Sequence, residues 1–232
     1  MLIRRFVKTG LYLALALALS GFIHAQSLLD TFEAPTINPL FWTQTQQYGT
    51  VRLSTDVNKT FGGRQSLKFT STSSGGERTM AVSHRFASPQ KGTFSIWFYD
   101  VAPGQETQYE QVSVSNSVTG DTASIGTQDF DAYCYEAQLY NYDTQIRQGP
   151  NQNCGIYPQI STTNIHRAAG WHILGIYVGS DSITLAIDGT PVFTTSGNYT
   201  YDSVMIAQSG PYWRPDTYSY WDDYEGPVWK PQ

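Results

Sequence analysis

Residues 170–193, GWHILGIYVGSDSITLAIDGTPVF, decide the fold. Trp171, Ile173 and Tyr177 alternate with His172, Leu174, Ile176 and Val178, and Ile183, Leu185 and Ile187 then alternate with Thr184 and Ala186. A period of two is the mark of extended strands. Gly179-Ser180-Asp181-Ser182 separates the two runs, and Asp188-Gly189 follows the second, a dipeptide suited to the positive φ angles of a tight hairpin. The stretch predicts three antiparallel strands in a meander ending at Val192-Phe193. Both alternating sets of the first strand are largely apolar, which predicts a central strand covered on both faces, inside a sandwich or barrel.

The same alternation recurs outward from this stretch. Val51 and Leu53, Leu67 and Phe69, then Met80, Val82, His84 and Phe86 each occupy every second position. Phe94, Ile96 and Phe98 follow, and Val204 and Ile206 do the same near the end. Further strands are expected over 111–115, 123–127, 133–140 and 155–160. No segment sustains a helical period. Roughly a dozen short strands spaced by Gly, Pro, Asn and Ser turns predict an all-β antiparallel sandwich.

Residues 1–25 join Arg4, Arg5 and Lys8 to an apolar run from Leu11 to Ile23 and close on His24-Ala25, the layout of a secretory signal peptide cut after Ala25. That run is shorter than the ~20 residues that cross a bilayer, so no membrane insertion is expected after cleavage. Residues 26–232 then form one domain, exported to the extracellular space or periplasm. Cleavage leaves 11 of the 14 basic residues against all 19 acidic ones, a balance that excludes nucleic acid and anionic membrane as partners. Aromatic residues, 14% of the chain and led by 16 tyrosines, suit a polar uncharged ligand. In an oxidising compartment Cys134 and Cys154 are expected to form a disulfide, worth about 3 kcal/mol in the loop-entropy model. His84, His166 and His172 lack metal-motif spacing.

Gly170-Trp171-His172 opening a strand, Ile187-Asp188-Gly189 closing the next and Val192-Phe193 on the third resemble the concanavalin A-like lectin and glucanase superfamily, of laminin-G type. The resemblance implies a two-sheet jelly roll, and leaves function open among binding modules, hydrolases and lyases. Asp30-Thr31-Phe32-Glu33 and Trp221-Asp222-Asp223-Tyr224 are similar to the paired end segments of jelly-roll carbohydrate-binding modules, where acidic residues help bind a structural calcium. That similarity implies a calcium held by Asp30, Glu33, Asp222 and Asp223, with carbonyls of the Gly62-Gly63 turn completing its oxygen ligands. Tyr224 stands where an aliphatic residue is usual.

A sugar platform is expected from Tyr133, Tyr135, Tyr140, Arg147, Tyr157 and Trp213, because aromatic faces pack on sugar C–H groups while phenol and guanidinium groups bond hydroxyls. Hydrolases of the superfamily usually carry E-x-D-x-x-E on one strand, and this chain has no such pattern. Asp129, Asp131 and Glu136 are the nearest alternative, and His84-Arg85 and His166-Arg167 are compatible with lyase chemistry without spelling it. The function expected from the sequence is non-catalytic, lectin-like recognition of an extracellular polysaccharide or surface glycan. The alternative is a glycoside hydrolase or polysaccharide lyase on the same jelly roll.

Overall fold

The computed structural model describes residues 28–72, 76–105, 107–127, 139–149 and 159–228. These residues form fifteen strands in two antiparallel sheets, with no helix among them. Sheet A runs in the order β13 (Thr190–Ser196), β12 (Ser182–Ile187), β11 (Gly170–Val178), β6 (Gly92–Asp100), β15 (Tyr218–Val228), β4 (Ser66–Ser71) and β3 (Gly49–Ser54). β1 (Leu28–Asp30) pairs with β15, so both ends of the described chain meet there, Leu28 opposite Gly226. Sheet B runs β10 (Gln159–His166), β9 (Asn141–Arg147), β8 (Thr122–Thr127), β7 (Tyr109–Ser115), β14 (Tyr201–Gly210), β5 (Arg78–Gln90) and β2 (Thr43–Gln47).

Alternation drives one face of each sheet into a shared core. Phe94, Ile96 and Phe98 of β6, Leu174 and Ile176 of β11 and Trp221 of β15 are sealed from solvent, as are Val112 of β7, Val204 and Ile206 of β14 and Met80 and Val82 of β5. Each such side chain contributes about 1.5–3 kcal/mol by leaving water. The meander forms as expected: β11, β12 and β13 are neighbours, and Asp188 and Gly189 take φ angles of 51° and 77° in the hairpin between β12 and β13. Asp188 tolerates that strain because its Oδ1 accepts the backbone N–H of Ile173 at 2.9 Å.

One expectation is corrected. β11 is buried on one face only, through Leu174, Ile176 and Val178. Trp171, Ile173 and Tyr177 lie half-buried on the face of sheet A that points away from sheet B. Neighbours within the sheet give them their apolar surroundings, as Tyr99 does for Trp171 at 5.2 Å between ring centroids. Among the described residues, apolar character on both faces therefore reflects lateral packing within the sheet.

Candidate functional site

The connections at one end of the sandwich form its most elaborate surface. The β2–β3 turn at Tyr48, the β6–β7 loop, the Leu139-Tyr140 turn before β9, the β10–β11 link and the β14–β15 loop all emerge there, as the registers Gly170 to Asp100, Gly210 to Arg78, Ser209 to Tyr109 and Gln47 to Thr79 require. Three buried arginines, Arg78, Arg167 and Arg214, hold these loops from within. Arg167 donates to both oxygens of Asp100 and to the carbonyls of Ala102, Gln105 and Leu139. Arg78 donates to the carbonyls of Tyr212, Arg214 and Pro215 and pairs with Asp216. Arg214 donates to Thr107 O, and Gln108 and Gln208 bond Pro215 O and Thr217 O. Charged donors thus satisfy loop carbonyls that no strand pairing reaches.

On this pinned rim stand Tyr140, 65% exposed, Trp213, also 65% exposed, and Tyr212, 51% exposed. Tyr212 and Trp213 meet edge to face at 5.2 Å. Tyr140 lies against Gly104, where an added Cβ would come within 3.1 Å of the ring, so the β6–β7 loop needs glycine there. That loop touches Tyr140 at Gly104 and Arg214 at Thr107, which brings Tyr140 and Trp213 to its two sides. Arg147 is separated from them, at the far end of β9 opposite Thr122. Tyr133, Tyr135 and Tyr157 lie outside the described residues, as do Cys134 and Cys154.

The side of sheet B that turns away from the core adjoins the rim and is built from small and polar side chains, several of them buried: Ser113, Ser124 and Asp143 are 6%, 1% and 3% exposed. Gln111, Gly126 and Asp143 share one row across β7, β8 and β9, and Ser113, Ser124 and Gln145 share the next. The carboxylates on the described strands of this sheet diverge. Glu110 faces inward with Val112 and Val114; it is fully buried, accepts the Thr127 hydroxyl at 3.1 Å, and burial pushes its carboxyl up to about 8. Asp143 turns away from the core yet is only 3% exposed. Asp202 is bonded by Ser117 at the far edge, and burial opposes the Ser117 hydrogen bonds that hold its carboxyl below the usual range. A retaining glycosidase needs two carboxyl groups about 5–5.5 Å apart, and these three supply no such pair. Asp129, Asp131 and Glu136 lie outside the described residues.

The histidine–arginine pairs are occupied structurally. His84 stacks on Phe41 at 3.7 Å and contacts its carbonyl, Arg85 bonds Ser117 and Asp202, and Arg167 is locked on Asp100. Neither pair presents a base beside a cation free to neutralise a uronate.

The two end segments do come together, as the sequence similarity implies. Asp30 sits opposite Tyr224 and accepts the Phe32 N–H and the Trp42 indole N–H. Glu33 accepts the backbone N–H groups of Arg64 and Gln65, closing the turn whose tip is Gly62. Asp222, fully buried, accepts Lys59 N at 2.7 Å and Thr60 N at 3.2 Å through Oδ2, and Asp223 N at 2.9 Å through Oδ1. Burial pushes its carboxyl up, and those N–H groups oppose the shift. The Thr60 hydroxyl bridges Asp222 and Asp223. Among the described residues no group of three or more His, Cys, Asp or Glu side chains converges as a metal set. Carboxylate oxygens turned to N–H donors in this way form a loop clamp, and a calcium here would need other oxygens for most of its six to eight ligands.

Sequence reasoning missed Glu110 and Arg78 as buried groups, and it offered Arg167 as a cation for lyase chemistry where the fold uses it to hold loops. The one available signal was a charged residue beside a strand end, and many solvated residues share that signal.

No family model and no curated protein matches this chain. Solved structures do. An endo-β-galactosidase from Clostridium perfringens that releases GlcNAcα1-4Gal is similar over 87% of this chain and 62% of its own length, with 12% identity and a TM-score of 0.58. A glycoside hydrolase family 16 endo-glucanase from Bacteroides ovatus is similar over 85% of this chain and 98% of its own, with 11% identity and a TM-score of 0.56. A Bacillus licheniformis β-glucanase is similar over 86% and 96%, with 12% identity and a TM-score of 0.52. This chain therefore spans less than two thirds of the galactosidase and nearly all of both glucanases. The fold is a concanavalin A-like jelly roll.

Proposed function

We propose that the protein acts on an extracellular polysaccharide at the loop rim. The observation that carries this reading is the set of exposed rings, Tyr140, Tyr212 and Trp213, on loops fixed by buried arginines. Exposed aromatic faces pack on sugar C–H groups, and fixing them beforehand lowers the entropy lost on binding. The solved neighbours named for polysaccharide-cleaving activities support a carbohydrate partner.

Those names also favour hydrolysis over simple retention, so glycoside hydrolysis is the first chemistry to test, with Asp143, which turns away from the core of sheet B but is only 3% exposed, as the carboxylate to vary. A second reading, binding without turnover, is favoured by the divergence of Glu110, Asp143 and Asp202. Incubation with a polysaccharide panel separates the two. New reducing ends that Asp143→Asn abolishes support hydrolysis, whereas retention without new ends supports binding.

Export belongs to the same proposal, and a mature protein beginning at Gln26 on N-terminal sequencing tests it. Thiol labelling with and without reductant tests the Cys134–Cys154 disulfide. Calcium, implied by the end segments, remains a separate proposal. A cation there would take its ligands mainly from backbone carbonyls, and calcium titration of the thermal transition tests it.

A further inference from the structure

The outer face of sheet A carries an aromatic row that plays no part in the proposed site. Register places Trp171, Tyr99, Tyr220, Lys68 and Arg52 side by side on β11, β6, β15, β4 and β3. Their alternates Phe98 and Phe69 are buried in the core, so this row points outward. At about 4.8 Å between strands, four gaps make the row roughly 19 Å long. The rings interlock edge to face, Trp171 with Tyr99 at 5.2 Å and Tyr99 with Tyr220 at 6.1 Å. Tyr218, 45% exposed, extends the group beside Tyr220 at 5.6 Å.

The polar groups around the row differ in what they are bonded to. Three of the anions are engaged by the chain itself: Asp56 accepts Lys68 Nζ at 2.6 Å and the Tyr220 hydroxyl at 2.8 Å, Asp222 is bonded by Lys59 N and Thr60 N, and Asp223 by the Thr60 hydroxyl. Glu225 faces outward opposite Ser95, two rows from Tyr99. Among the described residues, two cations near the row form no ion pair with a carboxylate. Arg52 is exposed at one end of the row, and Lys59 lies with its Nζ 4.0 Å from the centre of the Trp97 ring, one row along. Lys59 belongs to the loop fixed by Asp222 and Glu33, and that same loop holds Phe61 fully exposed. A half-buried aromatic strip, with Tyr220 only 6% exposed at its middle, is thus edged by an exposed Arg52 and a half-buried Lys59, on a protein whose overall charge is negative.

We propose that this face is a second glycan site, which takes an acidic polysaccharide laid across the strands, its sugar faces on Trp171 and Tyr99 and its carboxylates on Arg52 and Lys59. The pairing follows from ring faces that suit sugar C–H groups and from cations that suit anionic substituents. It is independent of the rim on sheet B.

Affinity electrophoresis of the full chain in gels containing polygalacturonate, or its methyl ester, tests the assignment. The wild type is expected to be retarded by polygalacturonate, less so as salt rises, and far less by the uncharged ester. The double variant Arg52→Gln, Lys59→Gln is expected to weaken that retardation about tenfold, the size expected for two charge contacts, and Arg52→Gln alone, which alters an exposed side chain, is expected to weaken it about threefold with unchanged melting temperature. Trp213→Ala on the rim is expected to leave it unchanged. Absence of retardation in the wild type, an unaffected double variant, or loss in Trp213→Ala would each overturn the proposal. Failure of the rim to bind neutral polysaccharide would leave it standing.

Discussion

Arg167 closes on Asp100 at two points, Nε to Oδ2 and Nη2 to Oδ1, both at 2.8 Å, with the two side chains 3% and 0% exposed. Pairs buried to this degree are costly to break one-sidedly, because the remaining charge stays desolvated. Arg167→Met is expected to lose about 3–5 kcal/mol of unfolding free energy in urea titration. Arg167→Lys keeps the charge but not the planar two-point geometry, and an intermediate loss is expected.

Glu110 gives the stability a pH dependence of defined sign. Its carboxyl is at about 8 in the folded protein against an ordinary 4.5, because burial disfavours the charged form, with Arg167 opposing and Asp100 adding to the shift. Between those values the folded chain keeps a proton that the unfolded chain releases, so stability falls as pH rises through the window. Its contribution is complete below 4.5 and lost above about 8. Glu110→Gln stays neutral throughout, and flattening of the urea midpoint across that pH range is the expected result. A variant with the same decline as the wild type would assign the slope to other groups.

Asp222 holds the 59–60 backbone through N–H groups. Asp222→Ala leaves those donors unpaired and is expected to cost about 2–4 kcal/mol, read as a lower melting temperature. If the clamp is a purely hydrogen-bonded one, chelator and added calcium leave the wild-type transition in place. A rise on adding calcium would instead establish a cation in this corner.

Legibility in the sequence followed the physical range of each interaction. The meander from Trp171 to Phe193 and its Asp188-Gly189 turn were readable because alternation and positive φ are local properties. Tyr140 and Trp213 were readable as exposed rings, yet their placement on one rim depends on the β6–β7 loop lying between them. Arg147 was grouped with Tyr140 through proximity in sequence, and the length of β9 separates them. Glu110 shares the parity of Val112 and Val114, but a carboxylate in a Tyr-Glu-Gln run at a strand start reads as a solvated end, and its burial against Thr127 shows only in the fold. The acidic end segments were found correctly as neighbours, while their N–H partners belong to a loop more than a hundred residues away from Asp222.

Trp213 is 65% exposed and Tyr140 rests on Gly104, so truncating either ring leaves the core untouched. Trp213→Ala and Tyr140→Ala are expected to change unfolding free energy by no more than about 0.5 kcal/mol in urea titration. A larger loss would show that these rings serve the fold rather than a ligand.

Polysaccharide engagement at the rim is tested most directly by passing wild type, Tyr140→Ala and Trp213→Ala over a panel of immobilised neutral polysaccharides, with reducing ends measured in the same tubes. Retention or cleavage by the wild type on at least one of them, sharply reduced in both variants, is the predicted result. A folded wild type that neither binds nor cleaves any of them, or variants indistinguishable from it, would contradict the assignment.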